Sequence, residues 1–362
     1  MSELRTLLAD TVTRLFTDLV TKEALEAAEQ GAWPDRLWQA LEEGGLTLSL
    51  VPEAAGGAGG TWADAYVVVR AAGRHAAPVP LAETIVAGWL LAGAGLPVPL
   101  GPLTLAPVRT DDRLRLSRAG GSWRLSGTAT RVPWGKAAGH VVVVSEAEQR
   151  PLVALVAADA ARATADRNLA LEPRDTLVFA DTPVAAAAPA GPGVPARALH
   201  IYGALVRAAQ MAGALAGMLQ QSVRYVTERR QFGRPIGSFQ AIQHALAVLA
   251  GHAAAAGIAS EHAFRAADRG EPELDVAAAK IRVGEAAGVA AGIAHQVHGA
   301  IGFTYEHSLH FWTRRLWSWR AEFGSESRWA AELGRAVVGR GADALWSDLT
   351  ARSTASSFPT PA

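Results

Sequence analysis

Residues Arg229–Gln240 read RRQFGRPIGSFQ. They follow a helical period of about 30 residues, in which Ile201, Leu205, Ala208, Ala212, Leu215, Leu219, Val223 and Val226 share one face. The twelve residues hold three arginines, two phenylalanines, two glycines, two glutamines and a proline. A guanidinium suits a pyrophosphate, because its planar fork donates to two oxygens at once. A glutamine and an aromatic ring could hold a nucleotide base. A surface turn between two bundle helices accounts for the same residues, and the stretch alone leaves both readings open.

Helical periodicity continues outward on the C-terminal side. It predicts helices over 242–267 and 275–298, the second with Ala277, Ile281, Gly284, Gly288 and Ala291 on one stripe. Shorter helices are predicted over 306–317 and 325–346. Long helices with small residues on their contact faces pack as an antiparallel bundle. On the N-terminal side lies AAAAPAGPGVPA (185–196), a Pro/Gly/Ala linker. Before it, from Leu103 to Val184, short apolar runs such as HVVVVSE, LVALVA and DTLVFA alternate with turn residues. They predict a compact antiparallel β-domain. The first hundred residues return to helix: 4 to about 45 with a second helix starting near Pro34, then 62–74 and 81–94. The class is α+β, mostly α. The expected divisions are an N-terminal helical domain (1–100), a middle β-domain (101–195), a C-terminal helical bundle (196–348) and a disordered tail (349–362).

Bulk composition narrows the function. The 34 basic and 34 acidic residues cancel, which gives no electrostatic footprint for nucleic acid or a membrane surface. There is no cysteine, so disulfides, thiolate nucleophiles and cysteine-ligated metals are excluded. The apolar piece 85–96 is short and interrupted by Gly88, Gly93 and Gly95, so no membrane span is expected. The N-terminus lacks the pattern of a secretory signal, and a cytoplasmic location is the expectation.

Few residues outside the opening stretch suggest chemistry. GxSxG, HExxH and GxxxxGK[ST] are all missing. GGAGG (Gly56–Gly60) lacks the flanking strand and helix of a dinucleotide-binding unit, and a flexible loop explains it as well. His295 and His298 lie three apart and could join Glu306 on a metal, but packing explains such a pair better and no metal is expected. Trp312, Trp317, Trp319, Trp329 and Trp346 suit core or subunit-interface anchors. QVHGAIGF (Gln296–Phe303) follows a long predicted helix, and its glycines permit close approach to a ligand.

Taken in order, VPEAAGGAGG, GSWRLSGTATRVPWGKAAGHVVVVSE, RYVTERRQFGRPIGSFQAIQH and QVHGAIGFTYEHSLHFWTRR resemble the acyl-CoA dehydrogenase family over nearly the whole chain. The last two are the specific motifs. The resemblance implies two helical domains around a β-domain, FAD as cofactor, and a dimer or dimer of dimers. It implies α,β-dehydrogenation of an acyl-CoA thioester. A carboxylate removes the α-proton while the β-hydrogen leaves as hydride, and hydrogen bonds to the thioester carbonyl stabilise the enolate. An external electron acceptor would reoxidise the flavin.

The chain departs from that pattern on its catalytic side. The register from Gly302 to Arg314 places Phe323, before Gly324-Ser325, where the family commonly has its glutamate. Glu322 is adjacent and is a weak candidate base. Counting back from Phe232-Gly233, the family's alternative base position falls on Gly203, and Ala204 replaces a frequent arginine. The flavin-facing loop reads LTLAPVRTDD (103–112), without the family's Gly-Ser-Asp, and Thr130 and Val132 take the places of a ring-facing Trp and Thr.

The resemblance also implies that Arg229, Phe232, Gln240, Gln296 and Gly299 serve FAD, the first four by holding the ADP part of a neighbour's cofactor. Retained cross-subunit residues and a missing base suggest the non-catalytic partner of a homologous catalytic subunit in an α2β2 complex. Bacterial members of this kind act on steroid-CoA thioesters. The alternatives are a homo-oligomeric dehydrogenase using Glu322 or another base, and a non-redox CoA-binding or structural relic.

Overall fold

The computed structural model describes residues 3–147 and 149–350. The N-terminal helices are α1 (Glu3–Leu19), α2 (Lys22–Glu29), α3 (Asp35–Glu43), α4 (Trp62–Arg74) and α5 (Leu81–Gly93). The helical period of the first 45 residues runs on through Val20-Thr21, but the helix does not. Thr21 is extended, and its side chain accepts the Ala24 N–H as an N-cap.

Eight strands follow: β1 (Leu103–Ala106), β2 (Arg113–Ala119), β3 (Ser122–Pro133), β4 (His140–Ala147), β5 (Arg150–Ala157), β6 (Arg162–Thr164), β7 (Arg174–Pro183) and β8 (Ala186–Pro189). They form two four-stranded sheets, ordered β1-β4-β5-β8 and β2-β3-β7-β6. The expected antiparallel pairing is corrected at one edge. β1 runs parallel to β4, Leu103 opposite His140 through Ala106 opposite Val143. Two strands of the other sheet, β2 and β3, lie between them in the chain, enough for a parallel crossover. β8 falls inside the stretch expected as linker.

Strand alternation places the β1-β4-β5-β8 sheet between two cores. Val141 and Val143 face the other sheet, with Leu152, Ala154, Val156, Leu177 and Phe179. Val142 and Val144 turn the other way, with Leu103, Leu105, Val153 and Leu155, into the large core shared with the helices.

The bundle consists of α6 (Ala198–Glu228), α7 (Gln240–Asp268), α8 (Glu273–His298), α9 (His310–Ala321), α10 (Glu326–Arg340) and α11 (Ala342–Thr350). The predicted helix over 325–346 is broken at Gly341, which has φ +84. Residues 351–362, most of the expected tail, lie outside the described residues. The central helix is α6. A Cβ on Gly73 of α4 would lie 2.1 Å from Gln210 O, and one on Gly213 of α6 would lie 2.0 Å from Arg70 O. Reciprocal glycines thus bring the backbones of α4 and α6 into contact. At the other end of α4, the Asp268 carboxylate accepts the Trp62 and Ala63 N–H groups at 2.7 and 3.1 Å. By length and composition α7 is apolar enough to cross a membrane; here it packs against α4, α6 and α8.

Candidate functional site

Two residues 120 positions apart, Gly203 and Phe323, meet in the interior. A Cβ on Gly203 would lie 2.3 Å from Phe323 Cδ1, so only glycine fits beneath that ring. Phe323 is 2% exposed. Its φ is +52, a conformation costly for a bulky residue, and Gly324 follows at +95. The turn is held from two sides. Trp329 Nε1 donates to Phe323 O at 3.0 Å. Lys280 Nζ donates to the carbonyls of Trp319, Arg320 and Glu322 at 3.3, 3.2 and 3.0 Å, capping the C-terminus of α9. Burial pushes Lys280 down to about 7.

Glu322 turns away from Gly203 into a charged cluster. Its carboxylate accepts from Arg174 Nε and from Arg207 Nε, each at 2.6 Å. Arg207 also meets Glu83 and Gln210. Arg174 pairs with Glu172 at 2.9 Å, and Glu172 with Arg315 at 3.1 Å. Trp319 Nε1 donates to Glu172 at 2.9 Å. Glu83, Glu172, Arg174, Arg207 and Arg315 are all 3% exposed or less, and the Glu322 side chain 11%. Burial disfavours the Glu322 charge, but Arg174 and Arg207 outweigh it and hold the carboxyl at about 2. Arg207 is raised in turn; burial opposes its charge, and Glu83 and Glu322 overcome that.

The cluster escaped the sequence reading, although a signal existed. Arg207 lies one helical turn beyond Gly203 in an otherwise apolar stretch of α6, so it faces the same space.

The opening stretch forms an arm. α6 ends at Glu228, and Arg229 is extended. β9 (Arg230–Gln231) and β10 (Arg234–Pro235) make a hairpin around Phe232 and Gly233, with φ +50 and +79. Two left-handed residues in succession suit a tight two-residue turn. Phe232 stands 89% exposed at the tip. Phe239 steadies it, with its ring edge-on to Phe232 at 6.0 Å and beneath the Arg234 guanidinium at 4.2 Å. Arg229, Arg230 and Arg234 are exposed and form no ion pair among the described residues. Gln240, also exposed, begins α7.

Beside the arm, Gly288, Ala291, Gly292 and His295 of α8 form the floor of a groove of about 530 Å³. Gln296, Gly299 and Phe303 line its end, and Trp317 also borders it. Val226, Ile236 and Val297 form a small core that ties the base of the arm to the end of α8. The groove therefore includes Gln296 and Gly299, whereas Arg229, Phe232 and Gln240 stand outside its lining.

The remaining sequence candidates are committed elsewhere. His298 Nδ1 lies 2.7 Å from Ala294 O, and its ring stacks on Tyr225 at 4.4 Å. The amides of Gly57, Ala58, Gly59 and Gly60 donate to Pro52, Leu48, Val51 and Ser49 carbonyls, and are therefore spent within the loop. On β3, Thr130 donates from N and Oγ1 to Asp112 at 2.7 and 3.0 Å. Val132 is buried between the sheets.

The helical–β–helical order and the exposed arginine-bearing arm agree with the class of flavin-dependent dehydrogenase that the sequence motifs resemble. Comparison with known proteins agrees. The acyl-CoA dehydrogenase N-terminal domain matches residues 2–96 and the C-terminal domain residues 196–337. Acyl-CoA dehydrogenase IpdE2 of Mycobacterium tuberculosis is 32% identical, over 86% of this chain and 91% of that one. A steroid acyl-CoA dehydrogenase variant, Tcur3481-Tcur3483, superposes with a TM-score of 0.84 at 28% identity, covering 94% of this chain and 99% of that one. The ChsE4-ChsE5 complex from M. tuberculosis gives 0.83 at 26% identity, covering 93% and 98%. The chain belongs to the acyl-CoA dehydrogenase family, whose members are FAD-dependent oxidoreductases acting on acyl-CoA thioesters.

Proposed function

We propose that this chain is the non-catalytic subunit of an α2β2 acyl-CoA dehydrogenase, paired with a homologous catalytic chain. The observation that carries this reading is the contact of Phe323 with Gly203. The family has two alternative places for its base, remote in sequence, and here they adjoin in space. One holds a ring and the other a hydrogen, and neither takes a proton. Glu322 is an unsuitable substitute. A carboxylate held at about 2 by two guanidiniums is a weak base, and taking up a proton would break both ion pairs.

FAD supplies the hydride acceptor when bound, and the residues of this chain fit it in one place and not in another. The unpaired Arg229, with Arg230 and Arg234 beside it, suits the pyrophosphate of a neighbour's cofactor. Phe232, Gln240, Gln296 and Gly299 would hold its nucleotide part. Among the described residues the chain's own interior is occupied where a ring would lie: Phe323 packs on Gly203, Arg207 is paired with Glu322, and the Thr130 donors are spent on Asp112. The role of this chain is then to orient and retain the cofactor of the partner, while proton removal falls to the partner's base. An external acceptor would take the electrons. Likeness to a steroid acyl-CoA dehydrogenase and to a two-chain complex supports a bulky polycyclic acyl-CoA as substrate.

The test is expression of the chain by itself. It is expected to purify without stoichiometric FAD and without acyl-CoA dehydrogenase turnover. Full flavin loading with turnover would defeat the proposal and favour the self-sufficient homo-oligomer. A relic without redox function is disfavoured by the intact arm, and would be favoured if co-expression with a homologous catalytic chain yielded no complex.

A further inference from the structure

A second cavity lies where α4, α5, α6 and the C-terminal end of α7 come together. Its volume is about 390 Å³, within the usual range of small-molecule sites. Trp62, Trp89 and Tyr202 wall it, with Leu50 and Val194 adding apolar surface and Asp268 at one side. The three aromatic rings support one another. Trp62 stacks on Tyr202 at 5.0 Å and 19°, and Trp89 lies 4.3 Å from Tyr202. Trp62 and Tyr202 are 5% and 4% exposed.

The polar atoms around the cavity divide by their commitments. Both Asp268 oxygens are taken by the N-terminal amides of α4. Thr61 is engaged with Asp64 in the cap of the same helix. By contrast, the Tyr202 hydroxyl and the indole N–H groups of Trp62 and Trp89 make no hydrogen bond among the described residues. None of the three tips is a buried orphan: each is reached by solvent although the rings of Trp62 and Tyr202 are buried. Burial raises the Tyr202 hydroxyl to about 12, so it remains a neutral donor. The cavity thus offers flat aromatic walls, uncommitted donors and one fixed negative charge.

We infer that the cavity walled by Trp62, Trp89 and Tyr202 is a binding site for a flat, uncharged ring compound carrying an acceptor oxygen. The rings provide stacking area, the free donors meet the oxygen, and Asp268 repels an anion of the same shape. Its lining shares no residue with the Phe323–Gly203 contact or with the groove on α8, and it does not depend on the proposed partner role.

Equilibrium dialysis with 2-naphthol, and in parallel with naphthalene-2-sulfonate, tests the inference on the full chain. 2-Naphthol is expected to bind saturably below about 1 mM. The sulfonate, with the same ring system but a negative charge, is expected to bind at least about tenfold more weakly. Tyr202→Phe keeps the ring and removes the hydroxyl, and should weaken 2-naphthol about tenfold. Val194→Trp, at the half-buried linker wall, should fill the cavity and abolish binding; circular dichroism confirms that each variant is folded. No saturable 2-naphthol binding, equal binding of the sulfonate, or binding unchanged in both variants would overturn the inference.

Discussion

Phe323 and Glu322 are neighbours in the chain and serve the interior in different ways. Phe323 fills the space against α6, and Glu322 carries a charge that serves the fold. The Glu322 carboxyl sits at about 2, below its ordinary 4.5. A carboxyl lowered in the folded state adds stability above its ordinary pKa, and that stability is lost as pH falls from 4.5 toward 2. The shift corresponds to about 3 kcal/mol. Glu322→Gln should lower unfolding free energy by about 3 kcal/mol at pH 7, because it leaves Arg174 and Arg207 incompletely paired. The loss should shrink as pH approaches 2. Urea unfolding at pH 7 and pH 3 measures both. A variant with unchanged stability would show that the cluster is not structural. The ungapped register of the motif before it assigned Phe323 to the family's glutamate position, and the structure places its ring, buried, against Gly203. Of the cluster only Arg207 left a signal, by its place one turn beyond Gly203; its partners come from α5, α9 and the β-region, and no spacing along the chain links Glu83 to Arg207 or Arg174 to Glu322.

At the scale of elements, the arm and the α4–α6 crossing carry the argument. The hairpin could be foreseen as a turn, because Phe-Gly and Arg-Pro interrupt two helical periods. Its projection into solvent could not, since exposure of Phe232 depends on what packs around it. Arg229→Ala should reduce flavin retained by the heteromeric complex several-fold without changing the stability of this chain, as read by absorbance after gel filtration. Unchanged flavin content would remove the arm from the cofactor site. Gly73→Val would force α4 and α6 apart, where a Cβ already meets Gln210 O at 2.1 Å. It should destabilise the chain by about 2 kcal/mol or more in thermal or urea unfolding. The parallel β1–β4 pairing escaped the sequence for a different reason. Alternating burial specifies which face a residue takes, but not the direction of the neighbouring strand.

Across the whole molecule, the sequence periods anticipated the mostly helical class and the central strands, because long amphipathic helices and short apolar runs impose different spacings. They did not anticipate that α1 and α2 are separate, since Thr21 caps a new helix without interrupting the apolar stripe. The resulting architecture packs Phe323 into the interior and leaves a basic arm exposed, and the proposal that this chain completes another subunit's cofactor site rests on those two features.

The count of flavins in the assembled complex tests this most directly. The chain would be co-expressed with a homologous catalytic acyl-CoA dehydrogenase chain, and FAD quantified against each subunit after purification. One FAD per pair of unlike chains, two in an α2β2 tetramer, is the expected result. Four FAD per tetramer, one for every chain, would contradict the account.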